Sequence, residues 1–294
     1  FFFELISCVL PITSMQCLRR AMPQCPSPGT PHEQQRTAVE KQLRKAGGVT
    51  AVAALLEEYY RLSGSALSSD AQGLASFDGY FYINLADRHD RRAQIESMLQ
   101  AYGIPQSRWT RVNAVAQPKN GHLGCVQSHI RALELAKARG LRNAMILEDD
   151  FTFTKPKAEV DATLRRTLDV LGTDWDVLQI GLVPVDVDQA PAAVAGGAPR
   201  RVRAASTSSC YVVNAHFYDA LLRTFRAAEG QLEQEGQRFG EVLCTPYALD
   251  RFWIPLQTAS KWYGILPEIG GQRSSASSIM PQHWRSHPSC QRPY

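Results

Sequence analysis

The chain has 294 residues, of which 44% are hydrophobic and 20% are charged, so it can bury a sizeable globular core. Its formal net charge of +4 is small for this length, and no dense basic tract argues for a nucleic-acid partner. A mildly basic chain suits anionic small ligands. The seven cysteines form no CxxC pair and no zinc-type Cys/His spacing, which argues against a disulfide framework or a zinc module.

Residues 1–76 are predicted to form an extension in front of the main domain. Residues 1–12 are largely apolar but contain Glu4, and they are shorter than the ~20 residues that span a bilayer. Two interpretations stay open: the tail of a signal or anchor segment, which would provide membrane association, or a gene-model artefact. A Pro-rich linker at 23–31, a helical pattern at 37–62 and a Ser/Gly-rich linker at 63–76 complete the extension.

Residues 77–280 alternate between predicted strands and predicted helices. Short apolar runs predict the strands, and apolar residues at helical spacing predict the helices. Strands are expected at 80–85, 109–115, 144–147, 176–182 and 208–213, and helices at 90–102, around 126–139, around 160–171 and after Asn214. This order predicts an α/β fold with a mainly parallel sheet covered by helices on both faces. A loop is expected at 186–199 and a C-terminal tail at 281–294.

One predicted strand ends in three consecutive acids, Glu148, Asp149 and Asp150. The run from Ala144 to Leu147 before them holds no polar residue, which indicates a buried strand that delivers carboxylates to its carboxyl end. Open α/β sheets bind ligands at that end of their strands. Adjacent acids repel one another unless a cation lies among them. A solvated loop or a helix cap is the alternative interpretation.

Further motifs accompany the acidic triplet in a fixed order. They are YINL (82–85) with Arg88 and Arg91-Arg92, Gly121, Gly124-Cys125 and Ser128-His129, LEDD (147–150), DVLQIG (176–181), SSCYVVN (208–214), ALDRF (248–252), and Pro267 with Gln272 and Ser278-Ile279. In order and spacing this set resembles glycosyltransferase family 25, which includes bacterial lipopolysaccharide glycosyltransferases and procollagen galactosyltransferases. The resemblance covers roughly residues 79–279.

The resemblance implies a Rossmann-like domain of GT-A type, a nucleotide-sugar donor and a divalent cation held by a DxD-like motif. Mn²⁺ or Mg²⁺ bridging the phosphates would stabilise the charge that develops on the leaving nucleotide, and hard cations prefer carboxylate oxygens. Asp150 is the expected direct metal ligand. Glu148 is expected to contact the metal, through water, or the ribose. Asp149 is a further donor contact, although strand alternation points it the other way.

Other donor-binding residues are expected near the acids. The candidates are Asn84, Leu85, Arg88 and Arg92 after the first strand, Gly124, Ser128 and His129 at the next helix, and Gln272 in the late loop. Arginine suits bidentate phosphate recognition, and glycine lets the backbone approach closely. The alternatives are that Arg91 and Arg92 are solvated residues of a helix's first turn, and that His129 is a packed core residue.

The family is an inverting one, so the resemblance implies attack by an acceptor hydroxyl and a carboxylate that takes its proton. Asp250 is the candidate base, with Asp174 and Asp176 as weaker choices. The alternative for Asp250 is a surface pair with Arg251.

The function expected from the sequence is metal-dependent, inverting transfer of a hexose, with galactose preferred, from a UDP-sugar to a hydroxyl of a glycan or a protein. A noncatalytic sugar- or partner-binding member of the same fold is the first alternative, and a metal-dependent phosphohydrolase is the second. The compartment would be the lumen of the endoplasmic reticulum or Golgi in a eukaryote, and the cytoplasm or the membrane periphery in a bacterium.

Overall fold

A six-stranded sheet forms the centre of the computed structural model, which describes residues 73–188 and 198–274. A separate pair of short strands lies beside it. The strands are β1 (Gly79–Asn84), β2 (Trp109–Asn113), β3 (Asn143–Glu148), β4 (Phe151–Phe153), β5 (Val177–Val187), β6 (Ala198–Asn214), β7 (Trp262–Leu266) and β8 (Gly270–Gln272).

Six α-helices connect and cover the strands in these residues. They are α1 (His89–Ala101), α2 (Gly121–Ala138), α3 (Lys157–Leu171), α4 (Tyr218–Phe239), α5 (Leu249–Phe252) and α6 (Ile254–Ala259), with 3₁₀ turns at Leu74–Ser76, Gln106–Arg108 and Ala215–Phe217. The predicted end of α2 is confirmed, because Gly140 takes a left-handed φ of 64° just beyond the helix. Within the described ranges, no helix has the length and apolar character needed to cross a bilayer.

The sheet is mostly parallel, as predicted. Its strand order is β2-β1-β3-β6-β5-β7. The β1–β2, β1–β3 and β5–β7 pairs are parallel, whereas β6 runs antiparallel to β3, β5 and β7. The smaller sheet is the antiparallel pair of β4 and β8. The carboxyl ends of β1, β2 and β3 therefore meet at one edge of the large sheet.

Helices cover both faces of the sheet, which confirms the predicted α/β class. Successive strand residues point to opposite faces, so Phe81 and Ile83 enter one core and Tyr80 and Tyr82 enter the other. The first core contains residues of α2 and α4, and the second contains residues of α1 and α3. Burial on both faces explains why the central strands have nearly continuous apolar sequences.

The strands β5 and β6 are longer than their sequences predict. β5 continues to Val187 and β6 begins at Ala198, so part of the loop expected at 186–199 is strand. The exposed end of β5 escaped prediction because Val183 and Val185 pack against no core and flank a proline. Cys244 is disulfide-bonded, although the sequence argued against a disulfide framework. The extension before residue 73 and the tail at 281–294 lie outside the described residues.

The small β4–β8 sheet leaves no room for a side chain at Gly270. A Cβ atom at Gly270 would lie 2.8 Å from Phe151 Cε2 and 3.0 Å from the Thr152 carbonyl oxygen, whereas a Cβ at Gly271 would meet nothing within 4 Å. We expect Gly270→Ala to lower the free energy of unfolding by about 1–3 kcal/mol through overpacking. The matched Gly271→Ala variant should change it by no more than about 0.5 kcal/mol. Urea denaturation of both variants checks this, and equal effects would contradict it.

Candidate functional site

A cleft of about 490 Å³ lies at the carboxyl ends of β1, β2 and β3. Its walls come from the segments that follow these strands, from the first turns of α2 and from the end of β8. Nine of the predicted site residues line it: Leu85, Arg88, Gly124, Ser128, His129, Glu148, Asp149, Asp150 and Gln272. This is the edge of the sheet where α/β folds bind ligands.

Asp149 is held inside the protein. Its side chain accepts a hydrogen bond from Asn84 Nδ2 at 2.7 Å and forms an ion pair with Arg91 Nη1 at 2.9 Å. Asn84 is only 1% exposed and does not belong to the cleft lining. Both residues therefore support the strand ends that form the cleft, and their predicted contact with a donor stays a prediction.

Arg91, rather than Arg92, occupies the cleft. The Arg91 side chain is 7% exposed and lies between Asp149 and Asp150, with its Nη1 atom 3.2 Å from Asp150 Oδ2. The interpretation of Arg91 as a solvated helical residue is therefore wrong. Arg92 is 47% exposed and pairs with Glu96. Arg91 lies four residues before Ile95, so both side chains project from the buried face of α1. This spacing is the sequence signal that could have predicted the burial of Arg91.

Asp150 carries negative charge that its neighbours do not fully balance. Burial and the nearby charges of Glu148 and Asp149 raise the pKa of Asp150 to about 6, against the opposing effect of Arg91 and the Gln272 side chain. Its Oδ1 atom is buried and has no hydrogen-bond partner among the described residues. An anionic oxygen in this state is suited to binding a cation.

Glu148 has a different environment from Asp150. It accepts a hydrogen bond from Ser208 Oγ at 2.6 Å, and its Oε1 atom lies 3.6 Å from His129 Nε2. Burial raises the pKa of Glu148, but the His129 ring, the Ser208 hydroxyl and the Arg91 charge outweigh this effect and lower it below its usual range. Glu148 is therefore a stable carboxylate.

The α2 helix and the loop before it form one wall of the cleft. Ser128 Oγ accepts a hydrogen bond from the Val115 amide at 2.8 Å and donates one to the Gly124 carbonyl at 2.6 Å. A Cβ atom at Gly124 would collide with the Val115 carbonyl oxygen. The close backbone approach predicted for Gly124 is thus present, and Ser128 holds the wall in place.

Basic side chains stand beside the acids. Arg88, Arg91 and Arg273 all line the cleft. Arg273 was not predicted, and it donates to the Asp149 carbonyl oxygen from its side chain and to the Asp150 carbonyl oxygen from its backbone amide. Guanidinium groups next to carboxylates create a site that fits an anion together with a cation.

Asp250 lies in the first turn of α5, outside the residues that line the cleft. Its Oδ2 atom accepts a hydrogen bond from the Thr207 amide at 2.9 Å. Thr207 has a left-handed φ of 79°, and its neighbour Ser208 bonds to Glu148. Two consecutive residues of β6 therefore link Asp250 to the acidic triplet, while the catalytic role of Asp250 stays a prediction.

Asp174 and Asp176 lie at the opposite edge of the sheet. They precede β5, which runs in the same direction as β3, so they stand at amino-terminal strand ends. Asp176 accepts from the Lys261 amide at 2.7 Å, and Asp174 pairs with Lys261 Nζ. This position separates both acids from the cleft.

Similarity to known proteins is limited to part of the chain. No protein-family model matches it. It is 28% identical over 145 residues to procollagen galactosyltransferase 1-B of Xenopus laevis, a match that covers 41% of this chain and 24% of the relative. The chain thus spans about a quarter of the length of the curated relative that it matches.

Two solved structures are similar with low scores. Mannose-1-phosphate geranyltransferase from Thermus thermophilus aligns with a TM-score of 0.39 and 10% identity, over 65% of this chain and 75% of that chain. A glycosyltransferase involved in the glycosylation of the major capsid of PBCV-1 aligns with a TM-score of 0.32 and 6% identity, over 68% of this chain and 95% of that chain.

Replacing Arg91 tests the charge balance of the site. Arg91→Gln removes the cation from between Asp149 and Asp150 and should lower the free energy of unfolding by about 3–5 kcal/mol, because it leaves buried carboxylates unbalanced. Arg92→Gln, one residue along and exposed, should cost at most about 1 kcal/mol. Chemical denaturation at neutral pH measures both. Similar values for the two variants would be inconsistent with a buried bridge at Arg91.

Proposed function

We propose that this chain is a metal-dependent, inverting glycosyltransferase of GT-A type that moves a hexose from a UDP-sugar to a hydroxyl of a glycan or a protein. The observation that carries the proposal is Asp150, whose buried Oδ1 atom has no hydrogen-bond partner in the described part of the chain, in a cleft that arginines also line. Similarity to a procollagen galactosyltransferase supports sugar transfer, galactose as the hexose and a protein as the acceptor.

The residues of the cleft fit a divalent cation. Asp150 offers Oδ1 as a direct ligand, and Glu148 offers a second carboxylate that can contact the metal through water or the donor ribose. Such oxygens are the ligands that Mn²⁺ and Mg²⁺ prefer. When bound, the cation would stabilise the negative charge on the departing diphosphate.

The remaining cleft residues suit the rest of a nucleotide sugar. Arg88, Arg91 and Arg273 bring positive charge to the position where a diphosphate would lie. The apolar side chains of Leu85 and Val115 line the same cleft and would pack against a base ring. Gln272 would add a polar contact to the donor.

The acceptor hydroxyl needs a base on the reacting side of the sugar. We assign this role to Asp250, whose orientation is fixed by the Thr207 amide and whose β6 neighbour Ser208 contacts Glu148. In a single displacement, the hydroxyl oxygen bonds to the anomeric carbon, its proton passes to Asp250, and the bond to UDP breaks.

A donor screen read as UDP release tests the function directly. With Mn²⁺ present, the purified 294-residue chain should slowly hydrolyse one UDP-sugar, and excess chelator should stop the reaction. Asp150→Asn should reduce release to background and leave the folded state intact, because it removes a poorly balanced buried charge. The control Asp219→Asn changes an exposed acid that pairs with Lys137 on the surface. Full activity in chelator, or an active Asp150→Asn variant, would refute the mechanism.

Replacing Asp250 separates binding from proton transfer. Once an acceptor is known, Asp250→Asn should lower kcat by about 10²–10⁴-fold, the usual contribution of a general base, with the KM for the UDP-sugar nearly unchanged. Asp174→Asn is the matched control, because that acid stands at the opposite edge of the sheet. Steady-state kinetics decides the assignment: a raised KM with unchanged kcat would rule Asp250 out as the base.

A further inference from the structure

Three side chains with metal-ligating atoms converge at one end of the cleft. Cys125 and His129 lie four residues apart on α2, so both project from the same face of the helix. Glu148 reaches them from the end of β3. The possible ligand atoms of the three residues lie within 4.8 Å of one another, and all three line the cleft.

His129 has a buried nitrogen that needs a partner. The side chain is fully buried, and its Nδ1 atom is fixed by Tyr211 Oη at 2.8 Å. Its Nε2 atom faces Glu148 Oε1 at 3.6 Å, which is too long for a hydrogen bond. No described residue provides Nε2 with a hydrogen bond. A buried nitrogen without a hydrogen bond calls for a partner, and an ion placed between Nε2 and the Glu148 carboxylate would provide one for both.

The environment of His129 is that of a metal-binding histidine. Such histidines use one ring nitrogen as the ligand while a partner on the other nitrogen fixes the tautomer and the ring orientation. Tyr211 provides that second contact. The Nε2 and Oε1 atoms are 3.6 Å apart. Two ligand atoms of a tetrahedral metal with bonds of about 2.1 Å are about 3.4 Å apart, so the observed distance is close to that of a ligand pair.

The ligand types select the metal. A thiolate, an imidazole and a carboxylate are a set that Zn²⁺ accepts in tetrahedral geometry, whereas Mg²⁺ and Ca²⁺ prefer oxygen ligands alone. Three protein ligands leave a fourth position. Because Cys125, His129 and Glu148 all line the cleft, that position opens toward whatever occupies the cleft.

We propose that Cys125, His129 and Glu148 form a Zn²⁺ site with its fourth position open to the cleft. Binding replaces the thiol proton of Cys125, which passes to solvent. The site goes beyond the proposed Mn²⁺ clamp, because it depends on sulfur and nitrogen ligands from α2 and does not use Asp150. Glu148 is the one residue shared by the two.

Cobalt serves as a spectroscopic probe of the site. Titrating the metal-free, 294-residue chain with Co²⁺ should produce a thiolate-to-cobalt charge-transfer band with one equivalent bound, and Zn²⁺ should abolish that band by displacing cobalt. Cys125→Ser should remove the band. Cys210→Ala is the control, because Cys210 is a second free thiol, fully buried where Cys125 is only partly buried, and belongs to no such cluster among the described residues. Tyr211→Phe should weaken Zn²⁺ binding about tenfold.

The cobalt titration tests the Zn²⁺ site independently of the proposed glycosyltransferase activity. Asp150→Asn should keep the cobalt–thiolate band even though UDP release is lost, and the band should form whether or not any UDP-sugar is a substrate. Circular dichroism checks that each variant is folded. The wild-type titration decides the matter without any variant: a folded chain that shows no thiolate band at saturating Co²⁺ overturns the Zn²⁺ site, as does a band that survives in Cys125→Ser.

Discussion

The cleft depends on the ion pairs that Arg91 makes with two neighbouring carboxylates. This guanidinium offsets the repulsion among Glu148, Asp149 and Asp150 at the end of β3, because adjacent anions in a poorly hydrated site repel one another strongly. Arg91 pairs with Asp149 at 2.9 Å, and Asn84 donates a hydrogen bond to the other oxygen of the same carboxylate. Asp150 receives the weaker contact and keeps part of its charge for a ligand.

The antiparallel strand β6 gives the two ends of the cleft different chemistry. It lies between β3 and β5, and so brings Ser208 and Tyr211 beside the end of β3. Ser208 stabilises Glu148 as an anion, and Tyr211 holds His129 toward it. Asp150, one step past Asp149, instead faces arginine. The acidic run therefore faces the Arg91 guanidinium at Asp150 and the Cys125 and His129 side chains of α2 at Glu148.

Sequence patterns predicted the central strands well because their side chains are buried on both faces, and the acids stood out against that apolar run. They failed where burial does not decide the structure, as in the exposed end of β5. They also did not predict which face of α1 is buried. Arg91 and Arg92 point about 100° apart around the helix axis, and only the packing of α1 against the sheet places Arg91, not Arg92, beside the acids. The Cys125–His129–Glu148 cluster escaped because its third member joins only through tertiary structure.

The contact between Gly124 and Val115 has a consequence for comparing related sequences. The α2 backbone and the loop at 114–118 touch at a point where no side chain fits, and both border the cleft. A relative with any larger residue at the position of Gly124 must therefore carry that loop elsewhere and present a cleft of different width.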